Sequence, residues 1–296
     1  MTTRTIELDL ALGFAIPSRS ARGRLVRLGP TLDTVLSAHA YPPAIEALLA
    51  EALTLVALVG STLKDAGGQL TMQTRGEQGV VRLLVCDYRG GEVRGYIEYD
   101  AERLAQAPES PTLFALFGPA YLAITFDLAT TGERYQGIVP LDGDTLAEAV
   151  ESYFVQSEQI PTLVRIGIRK DGDRHVAGGL FLQHLPEGED GRERLHTRLD
   201  HPEWEHVQAL GATMGVDELA EPALPLETLV WRLFNEEEDV RLLARTELER
   251  GCRCTPDHIG SVLAKFSPAE RAEMADEHGL ITVDCAFCAT KFPIAA

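Results

Sequence analysis

The chain has 296 residues, of which 45% are hydrophobic, and it carries a formal net charge of −18 at pH 7. Its length exceeds the size at which a single hydrophobic core stops growing, so two or three folding units are expected. The negative charge disfavours nucleic acid as a partner, because a phosphate backbone would be repelled and no run of Lys or Arg offers a basic patch.

Two stretches bear on export and membranes. Residues 1–9 carry charges at Arg4, Glu7 and Asp9 without a long apolar run, which argues against a signal peptide. The longest uncharged apolar stretch, 110–126, is broken by prolines and a glycine, so it is a poor membrane span. We expect a cytoplasmic protein without a membrane partner. In that compartment clustered cysteines bind metals or act in redox chemistry more often than they form stable disulfides.

The N-terminal third contains a predicted strand and a predicted helix. Apolar and basic residues alternate over 22–28, which predicts a strand in a sheet with one solvated face. Pro42-Pro43 begins a helix whose apolar residues recur at helical spacing to Val59, and Gly67-Gly68 is predicted to end it. The helix is apolar on more than one side in its second half, which predicts burial against a sheet.

Short strand-like runs follow, separated by glycine-containing turn signals. They cover residues 70–74, 80–85, 93–99, 122–128 and 135–141. We predict an antiparallel meander rather than a phosphate-binding loop, because no GK[ST] motif follows the glycines. Cys86 ends one of these runs and is interpreted as a buried, unreactive thiol.

Thr145 and Glu148 have the spacing of a capping box and predict a helix that ends near residue 157. Two more strands are predicted at 163–169 and 176–182. Residues 1–186 are therefore expected to form an α+β domain, a mostly antiparallel sheet with helices packed on it.

The segment 187–243 is an acidic linker, with 15 acidic and 5 basic residues. It contains two apolar stripes at helical spacing, one that includes Leu229 and Phe234 and a weaker one that includes Trp204 and Val207. Two short amphipathic helices cannot form a core of their own. We therefore expect the linker to fold only against a neighbouring surface.

The segment 244–296 carries four cysteines in two close pairs, Cys252 with Cys254 and Cys285 with Cys288, and 30 residues separate the pairs. Four thiolates are the tetrahedral ligand set of structural zinc sites, and a filled shell leaves no position for a catalytic water. The segment has few apolar residues, so we predict a small domain that one bound Zn²⁺ holds folded.

The residues alone leave two interpretations of this site open. Cys252 and Cys254 are near enough in sequence to join as a strained, reducible disulfide if the metal leaves. The same four thiols therefore suit an inert structural zinc site or a redox switch, with His258 and His278 as weaker alternative ligands. We expect no enzyme, because the sequence contains no nucleophile elbow, P-loop or HExxH motif.

The two cysteine pairs, together with residues 229–237 before them, resemble the redox-regulated 33-kilodalton heat-shock chaperone family. Matching landmarks in the N-terminal domain are Tyr41-Pro42, the helix 48–64, Arg94-Gly95-Tyr96, 153–162, Gly178-Gly179 and 183–186. The resemblance covers nearly the whole chain. Ala289 and Phe292 depart from the pattern, which usually has Gly or Asn and then Tyr at these positions.

The resemblance implies an ATP-independent holdase that is inactive while the four thiolates hold zinc. It also implies that oxidant joins Cys252 to Cys254 and Cys285 to Cys288 and expels the metal. Loss of the metal would unfold the small domain and loosen the linker, exposing apolar surface that holds unfolding client proteins. The family further implies a homodimer in the oxidised form.

Two other functions remain to be distinguished from the chaperone. A static zinc-ribbon adaptor would keep its metal in oxidant. A thiol–disulfide oxidoreductase would normally carry its CxxC motif at the start of a helix, whereas here Phe292-Pro293 follow it at the chain end.

Overall fold

In the computed structural model, residues 7–65, 67–185 and 201–296 are described. Residues 1–6 and the acidic stretch 187–200, both addressed by the sequence predictions, lie outside these ranges. The described residues form two large sheets, a small hairpin and the helices packed on them, which confirms the predicted α+β class.

The first sheet has five strands in the order β10-β1-β2-β9-β8, all paired antiparallel. They are β1 (Leu10–Ile16), β2 (Ala21–Leu28), β8 (Thr162–Asp171), β9 (Arg174–His184) and β10 (Arg241–Glu247). β10 pairs with β1 from Glu247 opposite Leu10 to Arg241 opposite Ala15. The predicted boundary between residues 243 and 244 therefore falls within a strand of this sheet.

The second sheet has six strands in the order β11-β5-β4-β3-β6-β7. They are β3 (Gln69–Gly76), β4 (Val81–Arg89), β5 (Glu92–Tyr99), β6 (Ala120–Asp127), β7 (Arg134–Pro140) and β11 (Glu249–Arg250). All pairs are antiparallel except β11 with β5. The five predicted strands are present, but the predicted meander is wrong, because β6 returns to pair with β3 after two short helices, α3 (Ala101–Gln106) and α4 (Leu113–Phe117).

Helix α2 (Pro43–Gly60) packs between the two sheets and forms the centre of the largest hydrophobic cluster, together with α1 (Pro30–Leu36) and α5 (Leu146–Tyr153). Its predicted burial is confirmed. Its predicted end at Gly67-Gly68 is wrong, since the hydroxyls of Ser61 and Thr62 donate to carbonyls of its last turn and the helix stops there. The predicted capping bond at α5 is present, from the Glu148 N–H to the Thr145 hydroxyl.

Among the described residues, α2 alone is long and apolar enough to cross a membrane by length and composition, with a mean hydropathy of 1.7. However, 72% of that stretch is buried inside the protein. The core helix of a globular protein passes the same test, so this helix is only weak evidence for a span.

Cys86 lies on β4 behind α2, with no exposed surface. A Cβ added to Gly95 on β5 would lie 2.5 Å from its sulfur, so the thiol fills a space that only glycine leaves free. Burial raises the pKa of Cys86 well above its usual value. The predicted burial of this thiol is confirmed.

Three linker helices cover the other face of the first sheet: α6 (Pro202–Ala212), α7 (Val216–Leu219) and α8 (Leu226–Phe234). Trp204, Leu229 and Phe234 are buried against strand residues such as Phe14 and Leu182. The two predicted apolar stripes thus pack on a neighbouring surface, as expected. The first sheet lies between α2 and these helices.

The predicted solvated face of β2 is wrong, because α7 covers it. Arg27 is only 1% exposed, and its guanidinium donates to the carbonyl of Leu219 at 3.0 Å, to that of Glu218 at 3.3 Å, and to that of Leu224. Burial lowers the pKa of Arg27 to about 10.

Beside Arg27, two glycines continue the same row across the sheet: Gly178 on β9 and Gly167 on β8. A Cβ at Gly178 would lie 2.0 Å from the Leu219 oxygen, and one at Gly167 would lie 1.8 Å from the Val216 oxygen. The row of arginine and two glycines therefore receives the backbone of α7. We call Arg27, Gly178 and Gly167 the linker seat.

A network of ion pairs connects α6 and the end of α8 to the turn between β1 and β2. Arg19, in the turn between β1 and β2, pairs with Glu203 on α6 and with Glu237 after α8, at 2.8 Å in the second case. His206 also contacts Glu237 at 2.7 Å. The Glu237 side chain is therefore only 6% exposed, although the sequence around it is strongly acidic.

The C-terminal segment contains α9 (Pro256–Leu263), α10 (Pro268–Met274) and a hairpin of β12 (Leu280–Asp284) and β13 (Lys291–Ala295). Its buried apolar cluster consists of Ile259, Leu263 and Ile281, with a few partly buried neighbours. A core of this size supplies little stability, as the sequence indicated.

Candidate metal centre

The two cysteine pairs are held by different local structures. Cys252 and Cys254 lie between β11 and α9, where the Thr255 side chain caps the helix by accepting the His258 N–H at 3.1 Å. Cys285 lies with its partner in the turn that joins β12 to β13. Each pair is therefore part of a short loop next to a regular element.

The turn of the hairpin is closed by backbone hydrogen bonds. The Ala289 N–H donates to the Cys285 carbonyl at 2.8 Å, and the Cys285 N–H donates to the Thr290 carbonyl at 3.0 Å. Ala289 has a φ of 55°, the left-handed region that favours Gly or Asn. Phe292 pairs with Val283 across the hairpin. Neither departure from the family pattern prevents the turn, but Ala289 makes it strained.

The four sulfurs converge on one point. Sγ of Cys252 lies 3.1 Å from that of Cys254 and 3.6 Å from that of Cys285, and Sγ of Cys254 lies 3.4 Å from that of Cys288. All four lie within 4.8 Å of one another. A tetrahedron with metal–sulfur bonds of about 2.3 Å has edges of about 3.8 Å, so the cluster has the size and donor set for a zinc-like ion.

The four cysteines are free thiols of intermediate exposure. Of the described His, Cys, Asp and Glu side chains, only these four form a group that could hold a metal ion. His258 and His278, the weaker alternative ligands suggested by the sequence, do not belong to it.

Burial and mutual hydrogen bonds give these thiols different pKa values. Burial, with hydrogen bonds among the sulfurs, raises the pKa of Cys254, and burial also raises that of Cys285. Burial acts in the same direction on Cys288, but hydrogen bonds with Thr290 and with the neighbouring thiols lower its pKa to about 6. One thiolate is thus favoured at neutral pH, and a thiolate is the form that binds metal and reacts with oxidant.

Contacts between this cluster and the rest of the protein were not predicted from the sequence. Arg253, between the first two cysteines, donates to Gln69 at 2.5 Å, and Phe287, between the last two, packs on Tyr96. The sequence signal that could have predicted these contacts is the presence of two large side chains, Arg253 and Phe287, between paired cysteines. Metal binding alone does not require large side chains at these positions.

The described chain is therefore a two-sheet α+β protein whose C-terminal segment gathers four thiols able to hold a metal ion. The family model described as Hsp33 protein matches residues 9–295, and the chain belongs to this family. The resemblance seen in the sequence is confirmed.

Curated relatives with the name 33 kDa chaperonin match over most of their length. The protein from Caulobacter vibrioides is 42% identical, over 97% of this chain and 94% of its own. The protein from Pseudomonas fluorescens is 36% identical, over 98% of this chain and 92% of its own length. The crystal structure of the 33 kDa chaperonin (heat shock protein 33 homologue) from Thermotoga maritima has a TM-score of 0.76 and 23% identity, and covers 97% of this chain and 95% of that one. The chain is thus a chaperone of the Hsp33 family, and the names of its relatives indicate a non-enzyme role.

Proposed function

We propose that this chain is a redox-regulated, ATP-independent holdase of the cytoplasm that binds unfolding client proteins and prevents their aggregation. The observation that carries the proposal is the convergence of four thiols within 4.8 Å from two loops that the chain separates by 30 residues. The apolar cluster next to them contains only three buried side chains, so the thiol cluster is the main interaction that holds this segment folded.

In the reduced protein, Cys252, Cys254, Cys285 and Cys288 would hold one Zn²⁺ as thiolates. Zinc bound in this way contributes folding free energy on the order of 10 kcal/mol. Three buried aliphatic side chains contribute roughly 5–9 kcal/mol, before the entropy of ordering the segment is subtracted. The C-terminal segment then stays folded, and the linker helices stay on the first sheet.

Oxidation removes the ligands. In each pair, two thiolates would lose two electrons to one molecule of peroxide, which takes up two protons from solvent and becomes two molecules of water, and one disulfide forms. The family resemblance supports pairing of Cys252 with Cys254 and of Cys285 with Cys288. Disulfide sulfurs bind zinc poorly, so the metal leaves and the segment loses the interaction that holds it folded.

Release of the linker would uncover the client-binding surface. The linker buries Trp204, Val207 and Phe234 against the first sheet, and these side chains would become available together with the strand residues beneath them. A net charge of −18 keeps a protein with exposed apolar surface soluble. By the family resemblance, the oxidised form is a homodimer.

The test follows zinc release and client aggregation in the same sample. Reduced protein is treated with peroxide or hypochlorous acid at elevated temperature, released zinc is measured with a chromogenic chelator, and light scattering of an aggregating client is recorded. We expect zinc release and suppressed scattering only after oxidation. A Cys86→Ala variant serves as the control, because it keeps all four clustered thiols.

The alternatives give other outcomes. Zinc that stays bound in oxidant indicates a static zinc-ribbon adaptor. Catalytic turnover of a disulfide substrate indicates a thiol–disulfide oxidoreductase, although the CxxC turn lies in a hairpin and not at a helix start. Zinc release without client protection contradicts the chaperone switch.

A further inference from the structure

Both cysteine loops rest on one strand of the core, β5 in the second sheet. The first loop is tied to it by main-chain hydrogen bonds: the Glu249 N–H donates to the Gly91 carbonyl next to β5, and the Gly251 N–H donates to the Val93 carbonyl, both at 3.0 Å. Gly251 immediately precedes Cys252. The edge of the second sheet therefore fixes the backbone at which the thiol cluster begins.

The side chain between the first two cysteines continues this attachment. Arg253 donates to the Gln69 side chain on β3 at 2.5 Å and lies 3.7 Å from the Glu92 carboxylate on β5. A Cβ added to Gly251 would lie 2.3 Å from the Cβ of Glu92, which shows how closely this loop approaches the strand.

The second loop is attached through an aromatic ring. Phe287 meets Tyr96 edge to face, with ring centroids 5.0 Å apart, and the Arg94 guanidinium lies 4.0 Å from the Phe287 centroid. Asp87 on β4 holds that guanidinium in an ion pair of 2.6 Å. Edge-to-face pairs and cation–π contacts of this kind are each favourable.

A hydrogen bond outside the sheet completes the attachment of this loop. Nε2 of His39, in the connection between α1 and α2, lies 2.8 Å from the Ala286 carbonyl. Ala286 and Phe287 are the two residues between Cys285 and Cys288. These contacts of the second loop with the core thus come from residues that stand between two of the clustered thiols.

We infer that β5 is the docking platform for both metal loops, and that docking and metal binding stabilise each other. Arg253, Ala286 and Phe287 can reach the core only when each loop keeps the shape in which its two thiols point to a common centre. Two events that favour the same shape are coupled, and the coupling acts equally in both directions. The core therefore slows loss of the metal, and loss of the metal frees the loops from β5.

This inference deepens the proposed function and rests on its zinc site. The first experiment compares reduced, zinc-loaded wild type with Phe287→Ala, and records the rate of zinc transfer to an excess of chelator. We expect transfer about tenfold faster in the variant, because it loses an edge-to-face contact and a cation–π contact. The matched control is Phe266→Ala, which removes a 41% exposed ring of the same segment.

The second experiment uses the unmodified chain and tests the reverse direction. Amide hydrogen exchange of residues 249–251 is measured with zinc bound and after removal by chelator under reducing conditions. We expect the Glu249 and Gly251 amides to lose protection without zinc, while amides of α2 keep theirs. This arm does not depend on whether the Phe287 variant folds.

The outcomes separate the two proposals. A chain that binds no zinc overturns the proposed switch and the platform together. The platform alone is overturned by a chain that binds zinc but shows no coupling. In that case zinc transfer has the same rate in wild type, Phe287→Ala and Phe266→Ala, and the amides of residues 249–251 stay protected from exchange after the metal is removed.

Discussion

Arg27 offers the sharpest test of how the linker is held. The prediction concerns Arg27→Met, which keeps an unbranched apolar stem at this position but removes the donors to the Glu218, Leu219 and Leu224 carbonyls. Without them, α7 loses the bonds at its C-terminal end and the linker seat loses its only charged member.

The magnitude follows from the opposing effects. Hydrogen bonds from a charged donor contribute about 1.5–3 kcal/mol each, and the long bond to Glu218 contributes little. Burial of the guanidinium, which lowers the pKa of Arg27 to about 10, offsets part of this gain. We expect a net loss of about 2–3 kcal/mol in linker docking, which raises the undocked population roughly 30- to 150-fold.

The assay is amide hydrogen exchange of residues 216–234 in the reduced, zinc-loaded protein, with fluorescence of the buried Trp204 as a second probe. The matched control is Arg24→Met, on the same strand, since Arg24 donates to the Ser61 carbonyl at 3.1 Å near the end of α2 and not to the linker. Unchanged exchange of 216–219 in Arg27→Met would refute the role of the seat. If Arg27→Met and Arg24→Met lose the same amount of exchange protection, the effect comes from disturbance of β2 as a whole and not from the bonds of Arg27 to the linker.

Three further predictions follow. Gly178→Ala should displace α7 by its clash with the Leu219 oxygen and speed exchange of 216–219, whereas Gly260→Ala, whose Cβ meets nothing within 4 Å, should not. Ala289→Gly should relieve the left-handed strain of the metal turn, by roughly 0.5–1 kcal/mol after the entropy of glycine is subtracted, and slow zinc transfer to chelator; faster transfer would contradict this. Hydrogen bonds from Arg19 hold the pKa of Glu237 below its ordinary value of 4.5, so its contribution to linker docking is present above that value and is lost as pH falls through the lowered pKa. Trp204 fluorescence should report this acid loss in wild type and a weaker pH dependence in Glu237→Gln.

Local patterns predicted most elements of the fold but not how distant elements meet. The helical spacing before Val59 and the five strand runs after it appear in the structure as α2 and β3–β7. The pairing of β10 with β1, and of β6 with β3, depends on contacts between residues far apart in sequence. No periodicity within a short window contains that information.

The candidate site shows the same division. Cysteine spacing predicted a four-thiol cluster, because ligand sets are encoded in short motifs. It could not predict that Arg253 and Phe287 contact the second sheet, since those contacts depend on where the segment docks. The solvated face predicted for the strand at 22–28 is wrong for a related reason, because the segment that covers Arg27 lies about 190 residues further along the chain.

The position of Cys86 limits the chemistry that oxidants can perform on the native protein. Of five cysteines, it alone has no exposed surface, and burial holds its pKa well above the usual range, so it presents neither access nor a thiolate. The thiols that meet an oxidant in the folded chain are consequently even in number. Each of the four lies within 4.8 Å of another thiol, so disulfides can form within one copy of the chain.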